Sequence, residues 1–274
     1  MTAISPVKIG VFDSGLGGLS VLRELRQQIP AQPVTYIGDQ FHVPYGVRSL
    51  EEVRRFSTEV VEFLFSHDVK LIVVACNTAS AAALHSLREM YPAVPFVGME
   101  PAVKPAAEQT HSGVVGVLAT YATFQGALYA SVVERFAKGV TLLQSPCPGL
   151  VAEIEKGNFA GPETRAILKS VLDPMLRQKI DTVVLGCTHY PFVIPLIKEI
   201  VGMDVRVIDP APAVARQTAR LLQEHGWLAQ GAAPAAVEYY TTGDPQAMTR
   251  LLPVLAGDKT AQAGKATWTD GKLI

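Results

Sequence analysis

Two stretches of the sequence, IVVACNTAS around Cys76 and TVVLGCTHYP around Cys187, share one construction: an apolar β-branched run, a single cysteine, then small polar residues. Free cysteine commonly serves as a small buried hydrophobe. A thiol just past a strand has another use, because the positive end of a following helix favours the thiolate and its exposed N–H groups bind anions. Found twice in one chain, the pattern points to two activated thiols with a shared task. Asn77, Thr78 and Thr188 beside them are candidate helix caps or donors to a substrate carboxylate. His189, two residues beyond Cys187, is close enough to relay a proton to the sulfur or to polarise it. The chemistry open to such groups is nucleophilic attack or proton transfer. A cysteine hydrolase would use Cys187 and His189 as nucleophile and base, but it leaves Cys76 idle.

Other residues fall at similar junctions. Asp13 and Ser14 follow an apolar strand and precede GLGGLSVLREL, where a helix cap and glycine turn are expected. The segment also has the look of a dinucleotide fingerprint, with Gly15, Gly17 and Asp39 near the right places. Against that, Ser20 stands where Gly or Ala is needed, and Asp13 would meet the pyrophosphate. In GDQFHVPYG, turn chemistry accounts for Pro44 and Gly46, and Tyr45 is a wall or hydrogen-bond donor for a small ligand. Cys147, between prolines in SPCPGLV, is expected to pack. No Cys-x-x-Cys or His-x-His spacing occurs, so no metal site is expected.

These residues need a scaffold. Candidate strands are residues 8–12, 34–37, 71–75, 94–97, 114–118, 140–143, 182–185 and 205–208, with helical patterns such as 19–28, 51–66, 79–90, 126–137, 162–178 and 191–201 between them. The alternation predicts an α/β protein with mostly parallel sheets. The spacing from Asp13 to Cys76 is 63 residues and that from Thr120 to Cys187 is 67, an internal echo that suggests two similar halves meeting near GMEPAVKPA. Ligands of open α/β sheets gather at the carboxyl ends of strands, so all four junctions are candidates for one site, with a thiol delivered from each half.

At 274 residues and 49% hydrophobic, the chain can bury a large core, and a net charge of −1 without basic blocks argues against nucleic-acid or anionic-membrane partners. The N-terminal segment lacks the features of an export signal, and the uncharged run 112–133 reads as strand, loop and buried helix rather than a membrane span. Three cysteines without close spacing suit the reducing cytoplasm.

GVFDSGLGGLSVL, YIGDQFHVPYG, VVACNTASA, VLATYATF, CPGLVAEIE, VLGCTHYPF and YYTTGD together resemble the aspartate/glutamate racemase family, and within it the cofactor-independent glutamate racemases. The resemblance implies two similar, pseudo-symmetric α/β domains, residues 1–98 plus 208–274 and residues 99–207, with the active site in the cleft between them. It implies acid/base roles for Cys76 and Cys187, support from Asp13, Glu153 and His189, and contacts to L- or D-glutamate from Asp13, Ser14, Tyr45, Gly46, Asn77, Thr78, Thr120, Thr123, Thr188 and His189. For Glu153 an exposed helix face is the default, and the resemblance alone selects it. Ala119 and Gly126 stand where the family usually has Gly and Ser. A small-molecule substrate, no cofactor, a homodimer and supply of D-glutamate to bacterial peptidoglycan are expected. Some members carry a long N-terminal extension with a cell-wall-precursor activator site; none is expected here, which weakens the case for that regulation.

Overall fold

The computed structural model describes residues 6–274; residues 1–5, the start of the segment read for an export signal, lie outside them. Each of the eight expected strands forms: β1 Lys8–Asp13, β2 Val34–Gly38, β3 Val69–Val74, β4 Phe96–Val97, β5 Val114–Ala119, β6 Thr141–Pro146, β7 Thr182–Gly186 and β8 Arg206–Ile208. The C-terminal region adds β9 Val237–Thr241, β10 Ala263–Lys265, β11 Trp268–Thr269 and β12 Lys272–Leu273, which the sequence reading did not anticipate. One sheet runs β10-β9-β2-β1-β3-β4 and the other β6-β5-β7-β8, every ladder in both being parallel. The pair β11–β12 is a separate antiparallel hairpin.

Parallel strands covered by helices on both faces read as continuous apolar runs, and these do. In β3, Leu71 and Val73 enter the core under the helix Leu19–Gln28, while Ile72 and Val74 enter the one under the helix Leu50–Phe65. In β7, Val183 and Leu185 face one core and Val184 the other. The period of two along each strand therefore fixes which residues each sheet buries on each side.

The echo in the sequence has a topological cause. In the order β2-β1-β3-β4 the chain leaves β1 toward one side and returns on the other, so the direction of winding reverses between β1 and β3. The order β6-β5-β7-β8 repeats this, with the reversal between β5 and β7. At such a reversal the following helices diverge and leave a crevice at the strand ends. Asp13 ends β1, Cys76 follows β3, Thr120 follows β5 and Cys187 follows β7, so each sheet carries one acid or hydroxyl and one thiol at its own crevice.

Among the described residues no helix is long and apolar enough to cross a membrane. The uncharged run 112–133 is β5 followed by the helices Tyr121–Gln125 and Ala127–Phe136, separated at Gly126. Ala119 places its methyl in the room left by Gly186, whose own Cβ would come within 2.8 Å of it.

Candidate active site

The two crevices face each other and close over a cavity of about 20 Å³, lined from both sheets by Cys76 and Cys187. Ser14, Tyr45, Gly46, Asn77 and Thr78 line it from the first half, and Thr120, Thr188 and His189 from the second. Both cysteines are buried, and neither is in a disulfide. Cys147 is also free and buried, packed in the core against β7, and it lines an adjoining apolar cavity rather than this one.

The two thiols are positioned by different devices. Cys76 is itself the N-cap of the helix Asn77–Met90: its backbone is extended, and Sγ accepts from the Ala79 N–H at 3.4 Å. The cap role expected of Asn77 and Thr78 is thus taken by the cysteine, which sets its sulfur at the positive end of a helix. The thiol donates toward Ser14 Oγ at 3.8 Å. Burial pushes the Cys76 thiol well above its ordinary range, the Asp13 carboxylate and Cys187 add to the rise, and the Ala79 N–H and Ser14 oppose it. The shift favours the neutral thiol, the form that holds a proton to supply.

Cys187 leads instead into a turn and the short 3-10 segment Tyr190–Val193, so no helix begins at its sulfur. Its cation is His189, whose Nδ1 lies 3.8 Å from Sγ while Nε2 meets Glu155 Oε1 at 2.6 Å. Burial would lower the His189 pKa, but Cys187 and Glu155 outweigh it and lift it well above the ordinary value, which favours the imidazolium. Glu155 is held below the usual carboxylate range: burial opposes this, and His189, the Leu16 N–H and the Gln40 amide overcome it.

Glu155 corrects the expectation placed on Glu153. The Glu153 carboxylate bonds Lys156 and Asn158 and lies outside the cavity. Both glutamates belong to the helix Leu150–Glu155, where positions two apart point about 200° from each other. Val151 lines the cavity, and Glu155, one turn on, shares its face. In the sequence Glu153 stands in a like i, i+3 relation to the apolar Leu150, so spacing alone does not choose between the two glutamates.

Asp13 is fully buried and accepts from the Gly15 N–H at 3.0 Å and the Thr188 hydroxyl at 3.1 Å. Burial raises its carboxyl above the usual range and Glu155 adds to this, against His189 and the N–H groups of Gly15 and Gly18. Thr188 therefore bridges to Asp13 rather than capping a helix. Thr120 does cap, accepting from the Thr123 N–H at 3.2 Å, and its hydroxyl lies 2.8 Å from that of Thr78 and 3.0 Å from that of Thr123. Asn77 is buried with neither side-chain atom hydrogen-bonded among the described residues. Such an amide costs about 1–3 kcal/mol until a partner arrives, so Asn77 and the hydroxyl cluster form a ready acceptor and donor set for a small polar molecule.

Tyr45 is a wall and not a donor to the cavity, since its hydroxyl bonds Asp39 at 2.7 Å. Asp39 also accepts from His42, Thr242 and Trp268, each at 2.8 Å. With four donors on it the carboxylate has no capacity left for a ribose, which removes the dinucleotide reading.

The Glu155–His189 pair predicts a pH-dependent stability. Glu155's share is present above its ordinary 4.5 and is lost as pH falls through the depressed folded value. His189's share is complete below 6.5 and is lost as pH rises through the elevated folded value. The gap in unfolding temperature between the parent and Glu155→Gln should be widest between pH 4.5 and 6.5 and narrow toward alkaline pH. A gap that stays constant on the alkaline side would remove the charge pair as its cause.

The chain matches the Asp/Glu/Hydantoin racemase family over residues 9–218. It is 50% identical over 257 residues to the glutamate racemase of Pseudomonas paraeruginosa, covering 94% of this chain and 97% of that one. Its fold superposes on glutamate racemase isoform RacE1 from Bacillus anthracis with a TM-score of 0.83 at 34% identity, covering 97% and 98% of the two chains. On the Francisella tularensis glutamate racemase in complex with D-glutamate the TM-score is 0.81 at 29% identity, over 96% and 98%.

Proposed function

This chain belongs to the Asp/Glu/Hydantoin racemase family, and from that premise we propose that it interconverts L- and D-glutamate by two-base proton transfer between Cys76 and Cys187. The observation that carries this reading is the pair of buried thiols lining one small cavity from opposite sheets.

Inversion removes the α-proton from one face and delivers another to the opposite face. One sulfur, as thiolate, takes the proton; the other, as thiol, supplies one, and the roles exchange in the reverse direction. Asp13 acts on the Cys76 side and the His189 imidazolium on the Cys187 side. Sulfur basicity alone cannot break the α C–H bond, so the site must stabilise the carbanion-like transition state. Asn77, Thr78, Thr120 and Thr123 supply hydrogen bonds to a carboxylate, with Ser14 and Thr188 nearby, and closure excludes water.

A cavity of about 20 Å³ has room for roughly one water molecule, so substrate must enter with the halves apart. The bonds Thr78–Thr120 and Thr188–Asp13 cross the cleft and would part in each turnover. We take residues 1–98 with 208–274 as one moving unit and 99–207 as the other. Supply of D-glutamate for peptidoglycan in the cytoplasm is the implied role. A homodimer belongs to the same reading; a single sedimenting species of 29.4 kDa would remove it.

The Cys187–His189–Glu155 order also suits a cysteine hydrolase, which predicts an acyl-enzyme visible by intact mass. Polarimetry of the purified protein with each enantiomer of glutamate and aspartate, and no added cofactor, tests the function. Decay of rotation to zero from both glutamate enantiomers is expected. Unchanged rotation in glutamate would overturn the proposal.

A further inference from the structure

Gln40 lies just beyond the end of β2 in the first half and outside the cavity lining, yet it reaches across the cleft to the second half. Its Nε2 donates to Glu155 Oε2 at 2.7 Å, while Glu155 Oε1 accepts from His189 and from the Leu16 N–H at 2.7 Å. The two carboxylate oxygens are thus divided, one for His189 and one for Gln40. On its other side Gln40 Oε1 accepts from the Thr241 hydroxyl at 2.7 Å, and that hydroxyl accepts in turn from the Gly243 N–H at 2.9 Å. An ionised carboxylate only accepts, so the amide nitrogen must face Glu155, and the Thr241 proton then satisfies the amide oxygen. Gly243 closes on the stem of the side chain: a Cβ there would lie 2.8 Å from Gln40 Cβ. Thr241 ends β9, the returning C-terminal strand, and is fully buried.

We propose that Gln40 is a positioning residue for the reaction: anchored by Thr241 of β9, it turns the Glu155 carboxylate onto His189 and so aims the imidazole at Cys187. The inference rests on the assignment of Cys187 as a reacting thiol. It gives the returning strand a part in the chemistry of the opposite half, since the chain Thr241–Gln40–Glu155–His189–Cys187 is continuous only when the cleft is closed. The Thr241 bond holds the amide, and with Gln40 on Oε2 and His189 on Oε1 the carboxylate's rotation is defined from both oxygens in a way that a single contact would not achieve.

The test uses the full-length protein. Gln40→Leu keeps the volume and removes both bonds; kcat is expected to fall about 10- to 100-fold with KM little changed, in line with the effect of losing partners that orient a functional histidine. Gln40→Glu is nearly isosteric and carries the sharper signature. Two carboxyls at hydrogen-bond distance share one proton, so the introduced carboxyl can still donate to Glu155 while protonated, whereas its ionised form repels Glu155. The activity of Gln40→Glu relative to the parent should therefore decline steadily from about pH 6 to about pH 9. The charged and titratable groups around the pair are His189, Asp13, Cys187, the buried Tyr36 hydroxyl and Lys265, whose ammonium rests on the Thr242 and Gly243 carbonyls.

A third measurement is independent of turnover. The His189 ring titration, followed by NMR without substrate, should move to lower pH in Gln40→Leu as the imidazolium loses its aligned partner. A His189 midpoint unchanged or raised in Gln40→Leu, a parent-like kcat, or a pH-independent activity ratio for Gln40→Glu would each overturn the positioning role. Absence of racemisation in the parent would instead sink the functional reading, and the NMR titration would still decide on Gln40.

Discussion

Cys76→Ala and Cys187→Ala should each lower kcat/KM for glutamate racemisation by about 10³-fold or more, at the upper part of the range for losing a positioned acid or base. The loss follows from geometry: each sulfur serves one face of the α-carbon, and neither can reach the face served by the other. Because the enantiomers have equal free energy in water, kcat/KM must fall by the same factor in both directions. Direction therefore shows up elsewhere, in isotope exchange. Each single variant keeps one sulfur, which can still remove and return the proton of the enantiomer presented to it, without inversion. The two variants should then wash solvent deuterium into opposite enantiomers. In the parent, L-glutamate turned over in heavy water should give deuterated D-product while the remaining L-substrate stays largely protiated at early times. Full racemase activity in either variant would exclude that cysteine from the mechanism, and equal early labelling of both pools would favour a single base.

Gly17→Ala should lower kcat about 10²-fold while leaving the protein folded. Gly17 lies in the turn after β1, so close to the other half that a Cβ would come within 2.4 Å of His189 Nδ1 and 2.6 Å of Thr188 Oγ1. No Cβ sits at such distances, so the methyl must push His189 off Cys187 or hold the cleft ajar. Displacement of a catalytic group by about 1 Å is enough for an effect of this size. Circular dichroism and the unfolding temperature should stay close to the parent, because the crowded atoms lie at the cleft between the halves and not in the core of either sheet. Gly17→Ala with parent-like kcat would show that the two halves do not need this contact. The prediction also separates two meanings of the glycine turn: a turn needed only for its backbone would tolerate alanine here, whereas a docking surface for the imidazole would not.

Much of this was legible in the sequence because it is local. Apolar runs a few residues long, broken by polar junctions, determined the eight central strands and the α/β class, and the repeated run-then-cysteine pattern marked both thiols. The similar separations from Asp13 to Cys76 and from Thr120 to Cys187 already encoded two sheets wound the same way. Contacts between residues far apart in the chain were not legible, since they depend on how the elements pack and how one half faces the other. Glu153 and Glu155 are two residues apart, and only the packing of their helix against the sheet that carries His189 decides that Glu155 meets that ring. Asp39 fits a dinucleotide fingerprint by spacing, and two of the donors that saturate it come from Thr242 and Trp268, more than two hundred residues away. Gln40 reads as a polar loop residue until Thr241 and Glu155 are brought to its two ends. Local hydrophobic patterning determines elements and the junctions at which thiols sit; which carboxylate, imidazole and amide converge on each thiol is decided by long-range packing, because a hydrogen bond at 2.7 Å requires partners that no sequence spacing brings together.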